Sequence, residues 1–188
     1  YNFSFSIDAG GPGQVAEPEF LAKVDELTNW LRGLPEVTYA KSITDTLKSL
    51  NRNLHGDDDA FYRLPEDREQ AAQYLLLYET SLPYGLELTD RVNLEKSATK
   101  VFAAFAAMSS SEIIAYERVL NEWLDANMAE KNVTWSGVQL MSSHLIDADG
   151  RGLTVGAFSG LFVISLLLMV LMRSVRIGLL SMVPNIFP

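Results

Sequence analysis

Three short stretches and two lone histidines carry residue types that chemistry can use. Gly11-Pro12-Gly13-Gln14-Val15-Ala16 has the GxGxxA form of a dinucleotide-binding turn, where backbone amides at a helix N-terminus cradle a pyrophosphate. Asp57-Asp58-Asp59 gathers carboxylates of the kind that hold calcium. Ser109, Ser110 and Ser111 set hydroxyls in a row, and His55 and His144 are the two imidazoles. Each pattern lacks a necessary part. A helix start at Pro18 moves the helix N-terminus away from the glycines, and no acidic residue closes the next strand, VTYAKSI, to hold a ribose. The aspartates lack the glycine and terminal glutamate of a calcium loop. The serines have no histidine or acidic partner at motif spacing, whereas Ser109-x-x-Glu112 forms a capping box. Neither histidine has a metal-ligand pattern around it. The expectation is a turn, a solvated loop and a helix cap, with no catalytic residue, cofactor or metal: not an enzyme.

The elements around these stretches read clearly in places. Tyr1, Phe3, Phe5 and Ile7 alternate with Asn2, Ser4 and Ser6, which predicts a half-buried strand over 1–7. Pro18 suits the first position of a helix whose apolar residues, Phe20, Leu21, Val24, Leu27, Leu31 and Leu34, recur at helical spacing until Gly33 and Pro35 end it. A strand over 37–43 and a short helix over 44–54 come next. Pro65 is expected to open another helix, with an apolar side of Ala71, Ala72, Leu75, Leu76 and Tyr78, and 82–93 reads as loop. The run 99–108 is expected to be strand, and Ile113, Tyr116, Leu120, Trp123 and Leu124 mark a helix to about Met128. A last strand is expected over 133–140, with a bulge at Gly137. The order is β-α-β, two inserted helices, then β-α-β: an α+β fold of the ferredoxin-like split β-α-β type, over 1–140, with helices on one face of a sheet.

Beyond a connector at 141–151, the chain changes character. Residues 152–172, GLTVGAFSGLFVISLLLMVLM, hold no charge, and as a helix they span about 31 Å, close to the hydrocarbon thickness of a bilayer. They read as a transmembrane helix. Gly152, Gly156 and Gly160 form a stripe suited to close packing of another helix, with Ser159 beside it. Arg173 and Arg176 lie in a four-residue turn, 173–176, and anchor the helix end at the interface; 177–188 then begins a second apolar segment. All 24 acidic residues precede Gly152, with 13 of the 15 basic ones, so residues 1–151 carry a net charge of −11. Short cytoplasmic loops favour arginine and lysine, which predicts the turn inside and 1–151 outside. The acidic outer part argues against nucleic acid. Without cysteine there is no disulfide or thiolate metal site, as suits a bacterial periplasm. The chain is expected to be an internal piece of a larger membrane protein.

The ending LLLMVLMRSVRIGLLSMVPNIFP resembles the second helix of a membrane repeat in the resistance–nodulation–division (RND) superfamily, in the branch of lipid and hydrophobe exporters that includes the mycobacterial membrane protein large (MMPL) proteins. The residues that carry the likeness are Arg173, Arg176, Gly178-Leu179-Leu180, and Pro184, Asn185 and Pro188 of PNIFP. Upstream, Ile7-Asp8, Pro18 with its helix, 42–50 (SITDTLKSL), 51–54 and 73–78 (QYLLLY) resemble the family's extracytoplasmic porter domain. The resemblance implies a proton-driven exporter built from two repeats, with this chain supplying most of one porter domain, the second repeat's by preference, and the adjoining helix. It implies a multi-pass inner-membrane location with a periplasmic domain. Its partners would be the lipid bilayer, the remaining transmembrane helices, a twin porter domain and a hydrophobic substrate, with homo-oligomerisation left open.

No Asp, Glu, His or Lys lies in either apolar run, so proton coupling would fall to helices elsewhere. Phe102, Phe105, Trp123 and Trp135 are candidates to line a substrate path, with core packing the plainer role. Two other classes fit the same outline. One is a sensory receptor with an external ligand-binding domain and a signalling helix, although four residues before a new apolar run leave little room for a signalling linker. The other is a sterol-sensing or protein-translocation relative with the same membrane core.

Overall fold

A computed structural model describes residues 1–81 and 88–171. The chain is α+β, with strands β1 (Asn2–Asp8), β2 (Val37–Lys41), β3 (Ala98–Phe105) and β4 (Val133–Ser136), and helices α1 (Pro18–Arg32), α2 (Ile43–Leu54), α3 (Arg68–Ser81), α4 (Ser110–Asn127) and α5 (Val138–Leu171). It divides into two compact units, Tyr1–Met141 and Ser142–Pro188.

In the first unit the four strands form one antiparallel sheet in the order β2-β3-β1-β4. β1 and β2, joined through α1, have β3 between them; β3 and β4, joined through α4, have β1 between them. Period-two alternation decides which side of the sheet is buried. Phe3, Phe5 and Ile7 of β1 and Val101, Ala103 and Phe105 of β3 point into the core, where they meet Leu21, Val24, Leu27 and Leu31 of α1 and Ile113, Leu120 and Leu124 of α4. The two helices touch through Trp30 and Trp123, whose rings stack at 4.4 Å. Trp135 lies stacked on Phe5 at 5.7 Å and donates its indole N–H to Asn121.

The helix ends are closed by local chemistry. Pro18 stands in the first turn of α1, and the Gly33 N–H donates to the carbonyls of Asn29 and Trp30 at the other end. Ser42 and Asp45 form a capping box on α2. Asp45 also accepts both contacts of the Arg32 guanidinium at 2.8 Å, while Arg32 donates to the Ala40 carbonyl. One arginine thus ties α1 to the end of β2 and the start of α2. Beside it, Asp25 of α1 pairs with Lys48 of α2 at 2.6 Å and accepts from Thr44.

Several boundaries differ from the sequence pattern. β2 stops at Lys41, because Ser42 is already the cap of α2. α3 begins at Arg68, not at Pro65: Asp67 accepts from the Gln70 N–H and so caps the helix three residues later. Tyr74 is buried there, bonded to Asn51, while Ala72 and Leu76 are exposed. Within 82–93, Leu88–Asp90 is a 3-10 turn and Val92 bridges to Thr99; 82–87 lie outside the described residues. β4 ends at Ser136, and Val138 already belongs to α5. Gly137 marks that change of direction, not a bulge within a longer strand. A Cβ built there would lie 2.5 Å from Phe3 Cδ1 and 2.9 Å from the Asn2 carbonyl oxygen, a close approach that excludes a side chain.

The described part of the second unit belongs to α5. The connector expected at 141–151 is helical and runs without a break into the apolar segment. At 34 residues α5 is about 51 Å long, so it exceeds a bilayer core by roughly 20 Å. Its N-terminal part carries the sequence's His144, Asp147, Asp149 and Arg151, and charge ends there. It is a helix long and apolar enough to cross a membrane.

Candidate functional site

The glycine stripe lies on the apolar part of α5. A Cβ built at Gly152, Gly156 or Gly160 meets no described atom within 4 Å, so the stripe is an open groove. Thr154 donates to the Gly150 carbonyl and Ser159 to that of Gly156, so both hydroxyls are satisfied within the helix, as an apolar surrounding requires. Phe158 and Phe162 are 67% and 63% exposed. Arg173, Arg176, Pro184, Asn185 and Pro188, and the second apolar segment, lie outside the described residues.

The glycine-rich turn is committed to the fold. Gly13 has φ +73°, its N–H donates to the Glu95 carbonyl, and the Val15 N–H donates to that of Lys96. The amides that would face a phosphate are already used, and Val15 is buried. Asp58 caps the short turn Asp59–Phe61 by accepting from the Ala60 N–H, and Asp59 faces Arg52. His55 stacks on Phe61 at 3.8 Å, with Nδ1 2.7 Å from the Asn51 carbonyl oxygen; His144 stands on α5. Among the described residues no group of three His, Cys, Asp or Glu side chains could hold a metal. Ser109 and Glu112 form the capping box of α4. The Ser109 hydroxyl, then its backbone N–H, donates to the Glu112 carboxylate and holds its pKa below the ordinary value.

Of the four aromatic candidates for a path, three are structural. Phe105 is in the core with its ring edge to Phe3, and Trp123 and Trp135 are held in the stacks above. Phe102 is the exception, 36% exposed on the opposite face of the sheet. The register explains it: Phe102 pairs with Ser4 on one side and Lys41 on the other, and all three belong to the face turned away from the core.

That face holds a cleft, which arises from how the outer edge of β3 is used. β2 pairs with β3 only from Phe102 to Phe105. Further along, residues 91–93 take over: the Lys100 N–H and the Thr99 hydroxyl donate to the Arg91 carbonyl, and the Asn93 N–H donates to that of Ala98. Between the end of β2 and Arg91 lies a space of about 430 Å³, bordered by Lys41, Lys100, Arg91, Asp90, Phe102 and Tyr39. Arg91 donates to Thr46 at 3.4 Å. Neither lysine has a hydrogen bond or an ion pair among the described residues. The cleft gathers three cationic side chains beside two aromatic rings, with Ser4 and Ser42 also on its border. Sequence reasoning passes over these cations because they are up to 59 positions apart and lie in no motif.

No protein-family model matches the chain, and no curated protein matches it in sequence.

Proposed function

We propose that this chain is part of a proton-driven exporter of lipids or other hydrophobic molecules, of the RND type and its MMPL branch. In this reading 1–140 is a periplasmic porter subdomain of ferredoxin-like topology, and the apolar part of α5 crosses the inner membrane of a multi-pass protein. One observation carries it: a sheet of order β2-β3-β1-β4, with two interleaved β-α-β crossovers, is followed in the same chain by a helix with its large apolar side chains exposed. The external subdomain would accept substrate and move against a twin domain as helices elsewhere respond to protons. The glycine groove would seat a neighbouring helix, since small residues let backbones approach closely in lipid.

The test is efflux of a fluorescent hydrophobic probe from cells carrying the intact gene. Efflux should stop when an uncoupler collapses the proton gradient; efflux at an unchanged rate would overturn the proposal. The receptor reading draws support from one feature, the unbroken run of α5 from 138 to 171, since a continuous helix can pass a signal. It predicts no efflux at all, and a signalling domain encoded further along the gene.

A further inference from the structure

We infer that the cleft beside β3 binds a phosphate group, held by Lys41, Lys100 and Arg91, with Phe102 and Tyr39 covering an apolar part of the same ligand. The inference uses only residues of the first unit and does not depend on the exporter reading.

The first ground is charge. Residues 1–151 carry a net charge of −11, and acidic groups outnumber basic ones almost two to one. Seven basic side chains of the first unit are accordingly paired with carboxylates. Among the described residues Lys41, Lys100 and Arg91 have no such carboxylate partner, although carboxylates are plentiful. Among the described residues, three cations border the cleft against one carboxylate, Asp90, which gives this lining a charge of +2 inside an anionic domain.

The second ground is geometry. Lys41 lies directly across from Phe102, and Lys100 is two positions along β3 on the same face. That makes the lysines diagonal cross-strand neighbours, with Cα atoms roughly 7–8 Å apart. Two lysines at this spacing on one face can bring both ammonium groups to an anion that sits between them. Arg91 stands at the far end with its backbone fixed by Lys100 and Thr99. A guanidinium and two ammonium groups together match a phosphate, which has three free oxygens and at neutral pH up to two charges. A carboxylate would satisfy only half the local charge. The volume suits a small ligand or headgroup.

The third ground is the aromatic border. Phe102 is 36% and Tyr39 51% exposed, and both stand beside the cations. A wholly polar ligand would leave that surface uncovered. The same face of a second copy is a poor occupant, because a two-fold contact would set one basic face against another.

The source of the phosphate, lipid headgroup or soluble anion, is separated by experiment. The full chain in a non-ionic detergent is titrated calorimetrically with dihexanoyl phosphatidic acid, dihexanoyl phosphatidylcholine and inorganic phosphate. Saturable binding of phosphatidic acid is expected, weakened about tenfold or more by Lys41→Ala with Lys100→Ala and largely kept by Lys41→Arg with Lys100→Arg. Lys23→Ala, on an exposed pair of α1, should change nothing. A preference of about tenfold or more for phosphatidic acid over inorganic phosphate assigns the cleft to a headgroup; equal affinity assigns it to a soluble phosphate. Three results would each overturn the inference: no saturable binding of either phosphate probe, equal binding of phosphatidylcholine, or full binding by the alanine pair with its circular dichroism unchanged. Efflux is not read in this experiment, so failure here leaves the transport proposal standing, and the reverse also holds.

Discussion

Phe5 and Phe158 are the same residue in two regions with opposite fates. In the first unit Phe5 is wholly buried between sheet and helices, with Ile7, Leu21 and Leu27 around it; on α5 Phe158 and Phe162 lie open. The first unit hides its apolar side chains behind a charged surface, as a domain in water must. α5 hides almost none, and an exposed apolar surface of this length needs a cover of another kind. The difference teaches that one chain presents two surface chemistries, and that the change falls past Arg151 within a single helix that is long and apolar enough to cross a membrane.

Substitutions can break or sharpen that comparison. The largest effect is expected for Phe5→Ala, which empties the centre of the core: about 3–5 kcal/mol lost, read by urea unfolding of the full chain in detergent. Next comes Gly137→Ala, where the added methyl meets the Phe3 ring and the Asn2 carbonyl; about 2 kcal/mol is expected in the same assay. Asp45→Asn removes the charge that Arg32 and the α2 cap share, and about 1.5 kcal/mol should be lost, since Arg32 is half exposed. Ser109→Ala acts on one titration. The Glu112 pKa, depressed in the folded state, should rise toward the ordinary carboxylate value, as carbonyl-detected NMR would show. The sign comes from linkage. The contribution of this cap is complete above the unfolded pKa and is lost as pH falls through the folded one, so the variant should show less acid dependence at α4. The smallest effect belongs to the other region: Phe158→Ala should cost about 0.5 kcal/mol or less in detergent. A loss near that of Phe5→Ala would mean that α5 is covered by protein, and the contrast between the two surfaces would fall.

Much of this architecture is legible from local pattern. The alternation from Tyr1 to Ile7, the spacing from Phe20 to Leu31 and the Ser109–Glu112 cap depend on neighbours a few positions away, so period and capping chemistry reveal them. The ends of elements are less legible. Proline favours helix starts, which points to Pro65 for α3, but the Asp67 side chain makes the better cap. The alternation of VTWSGVQL continues to 140 and suggests a strand of that length, yet the backbone can pass Phe3 only at Gly137 and turns there into α5.

By itself the sequence determined the α+β element order, the Ser109–Glu112 cap and the long uncharged run, because each depends on side-chain chemistry at short range. Only the tertiary structure decided that β3 lies between β1 and β2, that Phe102 faces away from the core while Phe105 faces into it, and that Lys41, Arg91 and Lys100 border one cleft. Strand order and register bring together residues tens of positions apart, and no local period records which strand will lie beside which.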